Sequence, residues 1–212
     1  MNFWTFLVHD RAQVLQLTAE HLWLVGISMA LAIAIGVPAG IALTRWRHLD
    51  KPILGLANII QTVPSLALFG FLLSTPWIGE RADRIAILAL VLYSLLPIVR
   101  NTYVGITSID PALVRTGRAM GMTERQLLLR VELPLASPTI LAGVRVATVV
   151  SVGLATLAAA VGAGGLGEFI FRGLAMVNTT LILAGAVPAA ILALAADLLL
   201  GIIQRRLQPA TQ

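Results

Sequence analysis

Cysteine is absent from the 212 residues of this chain, and both charged and aromatic residues are scarce. The lack of cysteine excludes disulfides, thiolate metal sites and cysteine nucleophiles. Charged residues make up 12% of the chain, whereas soluble domains contain roughly one quarter. The mean hydropathy of +0.91 agrees with this deficit. The composition therefore predicts a membrane protein.

Motifs for catalysis and nucleotide binding are missing or out of context. No Walker A motif (G-x-x-x-x-G-K-[ST]) occurs, and none of the three histidines, His9, His21 and His48, lies in an H-E-x-x-H motif. Residues 162–167, GAGGLG, match G-x-G-x-x-G, but no predicted strand precedes them. We interpret them as a flexible or tightly packed turn. The sequence thus predicts no catalytic residue, no metal site and no cofactor in this chain, and it argues against an intramembrane enzyme.

Long apolar runs are what the chain does contain. A membrane span needs about 20 mostly apolar residues to cross roughly 30 Å of hydrocarbon. Five stretches meet this requirement, namely residues 22–44, 52–79, 85–107, 138–161 and 173–203. We therefore predict an all-α polytopic membrane protein with about five transmembrane helices. Its transmembrane domain covers residues 19–207, between an N-terminal interfacial segment at 1–18 and a tail at 208–212.

The distribution of basic residues predicts the orientation of these spans. With the N-terminus outside, nine arginines and lysines fall in inside loops and four fall in outside segments. Cytoplasmic loops carry an excess of both residues. We therefore predict that the N-terminus lies outside and that the C-terminus and residues 108–135 lie in the cytoplasm. The same rule accounts for the net charge of +5, so no nucleic-acid partner is expected.

The segment of residues 108–135 combines four arginines with two sets of helix start signals. Asp110 is an N-cap residue, and Pro111 follows it at the first helical position, where a missing N–H costs nothing. This helix is predicted to run to about Met120. Gly121 tolerates the positive φ that ends many helices.

A second helix of the same segment is predicted to begin after Thr123. Thr123 and Gln126 fit a capping box, in which each side chain accepts a hydrogen bond from the other's backbone N–H. This helix is expected to end by Pro134. Ser137 and Pro138 then repeat the cap-plus-proline pattern and predict the start of the next span. The segment is therefore predicted to be a cytoplasmic helix-turn-helix.

Two interpretations of the 108–135 segment remain open. In the first, it is a solvated loop whose arginines satisfy the positive-inside bias and contact anionic membrane lipid. In the second, it is a docking surface for a partner protein. Two capped helices favour docking, as do the adaptable side chains of Met120 and Met122 beside the turn.

Polar and charged residues also interrupt the predicted spans. Gln61, Pro64 and Ser65 break the second span, either as a kink satisfied by neighbouring helices or as a bend that lines a substrate path. Arg145 lies within the fourth span, where a charge at the bilayer centre costs about 2.5–3.5 kcal/mol. We predict that Arg145 faces protein or water, and we assign these four residues to a translocation path.

Arg100 and Asp197 also lie at or inside the predicted spans. Both are close enough to the predicted cytoplasmic ends for their charged groups to snorkel toward the interface. We therefore assign neither of them to the translocation path.

The 108–135 segment resembles the EAA loop of the permease subunits of binding-protein-dependent ABC importers. The similarity is carried by Ala112-Leu113-Val114, by Gly121 and by the run VELPL at residues 131–135. Four other stretches resemble the branch that imports osmoprotectants such as glycine betaine, choline and carnitine: HLWLVGISMALAIAIGVPAGIAL, IIQTVPSLALFGFLL, LYSLLPIVRNTYVGI and VGAGGLGEFIFRGLAMVNTTLILAGAVPAAILALAADLLLG. Together with the segment they cover about residues 20–201.

The resemblance implies that the 108–135 segment couples this chain to an ATPase. The residues implied in that contact are Arg115, Gly117, Arg118, Ala119, Met120, Gly121, Met122 and Thr123. The sequence departs from the family at residues 115–117, because Arg-Thr-Gly stands where the loop typically begins Glu-Ala-Ala. Gly121 is retained, so the docking role of the segment is better supported than any role for Arg115.

The resemblance also implies partners and a location. It predicts a separate ATP-binding subunit that holds ATP-Mg, an extracytoplasmic substrate-binding protein, and a second copy of the chain or a paralogous permease. The location implied is the bacterial inner membrane. A self-contained secondary transporter or channel is the alternative; it would need inverted repeats, and the sequence contains no convincing internal repeat.

Overall fold

The computed structural model describes residues 3–76 and 79–207, and throughout those residues the regular secondary structure is helical, without strands. The helices are α1 Phe3–His9, α2 Arg11–Arg45, α3 Asp50–Thr62, α4 Ser65–Leu73, α5 Ala82–Thr107, α6 Pro111–Ala119, α7 Glu124–Leu127, α8 Leu133–Leu157, α9 Gly167–Ala175 and α10 Thr179–Leu207. Helix α2 begins at Arg11, so the predicted boundary at residue 18 falls inside it. The predicted tail at 208–212 lies outside the described residues.

The helices include candidates for every predicted membrane span. Among the described residues, four continuous helical stretches are long and apolar enough to cross a membrane: Arg11–Arg45, Ala82–Thr107, Glu124–Val161 and Thr179–Leu207. The pair α3 and α4 is bent by 93° and gives a fifth if it counts as one span. The predicted all-α architecture with about five spans is therefore confirmed. Two residues of the predicted second span, 77 and 78, lie outside the described residues.

The bend between α3 and α4 follows from proline and is held by helix α5. Pro64 carries no backbone N–H, and the preceding residue, Val63, takes the extended conformation that a following proline favours. The hydroxyl of Tyr93 donates to the Val63 carbonyl. In return, Gln61 Nε2 donates to the Tyr93 carbonyl at 2.9 Å. The broken backbone is thus satisfied by a neighbouring helix.

Helix α5 forms the centre of the bundle, between α2 and α8. Its buried face includes Ile85 and Leu90, which pack with Leu24 of α2 and Phe69 of α4 in the main apolar cluster. Helix α2 approaches α5 closely at Gly40, where an added Cβ would lie 2.5 Å from Cβ of Thr102. Small residues allow such backbone contact between membrane helices.

A second apolar cluster joins the N-terminal helix to the C-terminal half of the chain. Phe6 of α1 and Phe169 of α9 meet edge to face, with ring centroids 5.6 Å apart. The buried part of the cluster also contains Leu17, Leu166, Leu181, Ala184 and Ala189. Helix α1 is therefore packed against the bundle through Phe6.

The start of the fourth span differs from the prediction. Ser137-Pro138 does not begin a helix, because the helical stretch continues from Glu124 to Val161 through Pro138. A π turn at Leu128–Glu132 precedes α8, and the N–H of Leu133 donates to the Leu128 carbonyl. Pro138 cannot donate to the Pro134 carbonyl; the Ser137 hydroxyl donates to it instead, at 2.8 Å. The proline is therefore accommodated inside the helix.

The glycine-rich turn at residues 162–167 is tightly packed. Gly165 has a φ of +79°, and its N–H donates to Glu20 Oε2 at 3.2 Å. A Cβ on Gly167 would lie 1.9 Å from the Thr156 carbonyl oxygen. The turn lies beyond the end of the Glu124–Val161 stretch that is opposite the 108–135 segment. Glycine is needed here for positive φ and close approach.

Candidate functional site

The 108–135 segment folds as a helix-turn-helix, but its second helix does not end by Pro134 as predicted, because it continues into the stretch Glu124–Val161. The carboxylate of Asp110 accepts the N–H of Ala112 at 2.8 Å, and Pro111 occupies the first turn of α6. The hydroxyl of Thr123 accepts the N–H of Gln126 at 3.3 Å, and Gln126 Oε1 accepts the N–H of Thr123 at 2.8 Å. Both caps predicted from the sequence are therefore confirmed.

The turn between α6 and α7 depends on two glycines. Gly121 has a φ of +78°, in the left-handed region that favours glycine. Its N–H donates to the Arg118 carbonyl at 2.9 Å and closes the turn. Gly117 is buried, because Leu127 and Met122 pack over it: an added Cβ would lie 2.8 Å from Leu127 Cδ1. The two helices therefore form one compact unit.

An ion-pair network joins this unit to the end of α2. Arg118 Nε donates to Glu124 Oε1 at 3.0 Å, and Glu124 Oε2 lies 3.9 Å from Nη1 of Arg45. Arg45 also makes a bidentate contact with Glu132, at 3.3 and 2.5 Å. The side chain of Glu132 is only 4% exposed, so this carboxylate depends on Arg45 for its charge partner.

The predicted docking surface is exposed and partly apolar. Met120 is 77% exposed and Leu113 is 50% exposed. Arg115 is exposed and has no ion-pair or hydrogen-bond partner among residues 3–76 and 79–207. It lines a cavity of about 260 Å³ together with Arg45 and Arg118, at the ends of α2 and α5.

The eight residues implied in ATPase coupling all lie in this helix-turn-helix unit. Arg115, Gly117, Arg118 and Ala119 belong to α6, and Met120, Gly121, Met122 and Thr123 form the turn that follows. The structure therefore brings them together, and their contact with an ATPase stays a prediction.

The four residues assigned to a translocation path lie at separate places. Gln61, Pro64 and Ser65 lie at the bend between α3 and α4, and Gln61 lines a second cavity of about 390 Å³. Pro64, Ser65 and Arg145 are not among the residues that line this cavity. Arg145 instead pairs with Asp197 of α10 through Nε and Nη2, at 2.5 and 2.6 Å. Their role in transport stays a prediction.

Several polar contacts of the site were missed by the sequence analysis. Arg45 and Glu132 are 87 residues apart in the chain, and Arg145 and Asp197 are 52 apart. No local pattern pairs residues at such separations. The one available signal was the presence of charge within apolar runs, which marked Arg145 and Asp197 individually but not as a pair.

Comparison with solved structures identifies the class to which this fold belongs. The chain matches a structure of the inward-facing MetNI methionine ABC transporter with a TM-score of 0.83 and 23% identity, over 94% of this chain and 98% of that one. It matches a crystal structure of an amino acid ABC transporter with histidines with a TM-score of 0.73 and 20% identity, over 97% and 99% of the two chains. The fold is that of the membrane subunits of such transporters.

Sequence comparison identifies the family. Residues 22–212 match the model of the binding-protein-dependent transport system inner membrane component, and the chain belongs to that family. It is therefore a multi-pass inner-membrane component of a transport system.

Three curated relatives are similar to nearly the whole chain. The choline transport system permease protein OpuBB of Bacillus subtilis is 42% identical over 97% of this chain and 93% of the relative. The carnitine transport permease protein OpuCB of Listeria monocytogenes is 43% identical over the same shares. The osmoprotectant import permease protein OsmW of Salmonella typhimurium is 41% identical over 96% of each chain.

Proposed function

We propose that this chain is the transmembrane permease subunit of an ATP-driven importer for small quaternary-amine osmoprotectants. The names of the relatives support the substrate class, since they include choline, carnitine and osmoprotectant permeases. The proposed substrates are solutes of the glycine betaine, choline and carnitine class.

The observation that carries the coupling role is mechanical continuity between the helix-turn-helix unit and the bundle. Helix α7 continues through the π turn into α8 as one helical stretch, Glu124–Val161. The Arg45–Glu132 ion pair ties the same stretch to the end of α2. A push on the exposed turn around Gly121 is therefore transmitted to two membrane helices at once, which is what conversion of ATPase closure into alternating access requires.

The proposal includes three partners and an orientation. ATP-Mg is bound and hydrolysed by a separate ATP-binding subunit that docks under the 108–135 segment. An extracytoplasmic binding protein delivers the solute, and a second copy of the chain or a paralogous permease completes the pathway. The excess of basic residues in the loops supports an outside N-terminus and a cytoplasmic C-terminus.

The test is coexpression of the chain with its ATP-binding subunit and binding protein in cells without other osmoprotectant uptake. Substitution Gly121→Val places a β-branched side chain at a φ of +78°, which costs about 1–2 kcal/mol, and it is expected to reduce both ATPase copurification and solute uptake. Gly26→Ala is the matched control, because Gly26 lies inside α2 and an added Cβ would meet nothing within 4 Å.

Two results would contradict the proposal. Normal copurification and uptake with a deleted or charge-reversed turn would exclude coupling through the segment. Uptake by the purified chain alone in liposomes, driven by an ion gradient without ATP, would instead establish the alternative of a secondary transporter or channel.

A further inference from the structure

The cavity of about 390 Å³ between α3, α5 and α8 has the composition of a binding site. Its polar lining consists of Gln61, Arg100 and Asn101, and the rest of its wall is apolar, with Leu96 and Val150 among the residues that form it. Small-molecule sites are typically about 300–1,000 Å³ and combine an apolar wall with a few polar groups. The cavity falls within that range.

Arg100 gives this cavity a positive charge that the described residues do not neutralise. The other two charges within the predicted spans, Arg145 and Asp197, pair with each other. Arg100 is exposed and has no ion-pair or hydrogen-bond partner in the described part of the chain. It lies seven residues before the end of α5, or about 10 Å along the helix.

A cation within a membrane span is costly in lipid unless its charged group reaches the interface or a watery or protein-lined surrounding. The cavity supplies such a surrounding, since Arg100 lines it together with two amide side chains. Arg100 is therefore the one charged group among the described residues that line this cavity.

The amide nitrogens of both side chains donate to backbone carbonyls of α5. Gln61 Nε2 donates to the Tyr93 carbonyl at 2.9 Å, and Asn101 Nδ2 donates to the Pro97 carbonyl at 2.8 Å. No described residue donates to Gln61 Oε1 or Asn101 Oδ1. The polar lining thus offers one guanidinium for an anionic group and two amide oxygens that favour a positive group.

We propose that this cavity binds a zwitterionic quaternary amine in transit, with its carboxylate on the Arg100 guanidinium and its methylated ammonium toward the amide oxygens and the apolar wall. The inference rests on the proposed function and narrows its substrate class. Guanidinium groups bind carboxylates with charge-assisted, often bidentate hydrogen bonds. Arg100 therefore favours carboxylate-bearing solutes such as glycine betaine and carnitine over choline, which has the same ammonium group without a carboxylate.

The experiment compares uptake of glycine betaine and choline by the complete transporter, with the same binding protein in every strain. In Arg100→Gln, the initial rate for glycine betaine is expected to fall about tenfold or more. The choline rate is expected to change less than about twofold or to rise, because a repulsive charge has been removed. Arg100→Lys keeps the charge and is expected to recover part of the glycine betaine rate.

Arg84→Gln is the matched control. Arg84 lies in the first turn of the same helix and outside the cavity. Both uptake rates are expected to stay within about twofold of the wild-type rates. ATP hydrolysis stimulated by the loaded binding protein is measured in parallel, and Arg100→Gln is expected to retain it within about twofold.

The outcomes separate this inference from the proposed function. If the wild-type transporter takes up neither glycine betaine nor choline, the proposed function itself is contradicted. The inference is overturned if the wild type transports choline but not glycine betaine. It is also overturned if Arg100→Gln lowers the two uptake rates equally or lowers neither. Loss of stimulated ATP hydrolysis together with uptake in Arg100→Gln would overturn it as well. If the wild type carries glycine betaine but no choline, loss of uptake in Arg100→Gln with retained stimulated hydrolysis supports the inference.

Discussion

Arg145 of α8 and Asp197 of α10 form a two-point ion pair within the membrane bundle, with Nε and Nη2 of the guanidinium 2.5 and 2.6 Å from the carboxylate oxygens. Gly201 lies one turn after Asp197, and a Cβ there would lie 3.3 Å from the guanidinium carbon. The pair therefore lies against α10, where glycine leaves room for the arginine. The prediction that Arg145 faces protein is consistent with this contact.

Substituting one residue of this pair is expected to destabilise the chain more than substituting both. Arg145→Leu or Asp197→Leu alone leaves one charge without its partner, and each is expected to cost about 1–3 kcal/mol, below the 3–5 kcal/mol typical of fully buried pairs. Both side chains are about one third exposed, which explains the lower value. The double substitution is expected to recover most of the loss, as measured by thermal unfolding in detergent. A double variant whose loss equals the sum of the two single losses would show that the two residues are not coupled.

The ion pair between Arg45 and Glu132 is expected to matter for coupling as well as for stability. Arg45→Gln leaves the carboxylate of Glu132, which is 4% exposed, without its charge partner. We expect a loss of about 1.5–3 kcal/mol in the free energy of unfolding, together with reduced uptake per ATP hydrolysed in reconstituted vesicles. The double variant Arg45→Glu with Glu132→Arg exchanges the two charges. It is expected to restore part of the free energy of unfolding and part of the uptake per ATP hydrolysed. Unchanged uptake per ATP in Arg45→Gln would limit this pair to a structural role.

Arg115 is expected to act on the partner and not on the fold. Its side chain is exposed and unpaired within the described residues, so Arg115→Glu is expected to change the free energy of unfolding by less than about 0.5 kcal/mol. Reversal of this charge on a docking surface is expected to weaken ATPase copurification roughly fivefold, or about 1 kcal/mol. ATPase copurification by Arg115→Gln is expected to lie between that of the wild type and that of Arg115→Glu. Equal copurification of all three proteins would exclude a contact at residue 115.

The glycine-rich turn offers a test of packing with an internal control. A Cβ at Gly167 would lie 1.9 Å from the Thr156 carbonyl oxygen, so Gly167→Ala forces backbone movement and is expected to cost about 1–3 kcal/mol. A Cβ at Gly153 would meet nothing within 4 Å. Gly153→Ala is therefore expected to stabilise α8 by about 0.5–1 kcal/mol. Thermal unfolding of the two variants checks both signs, and similar stabilities would contradict the packing of this turn.

The helix caps and the turn of the 108–135 segment could be predicted from the sequence because each depends on residues close together in the chain. The caps at Asp110 and Thr123 join residues two or three positions apart, and the turn at Gly121 depends on its own φ. The same local reasoning was wrong at Ser137 and Pro138. A serine before a proline can begin a helix, but here its hydroxyl supplies the hydrogen bond that the proline cannot make.

The order of residues is enough to predict a helical membrane protein with a helix-turn-helix between its spans. Hydrophobic length and helix caps are properties of neighbouring residues, so no tertiary contact is needed to recognise them. Which charges meet depends on the packing of the helices: Arg45 pairs with Glu132, and Arg145 pairs with Asp197. This packing also leaves Arg100 facing a cavity without a partner among the described residues. These relationships depend on how helices far apart in the chain cross, because side chains on a helix are positioned by packing that the sequence of that helix does not encode.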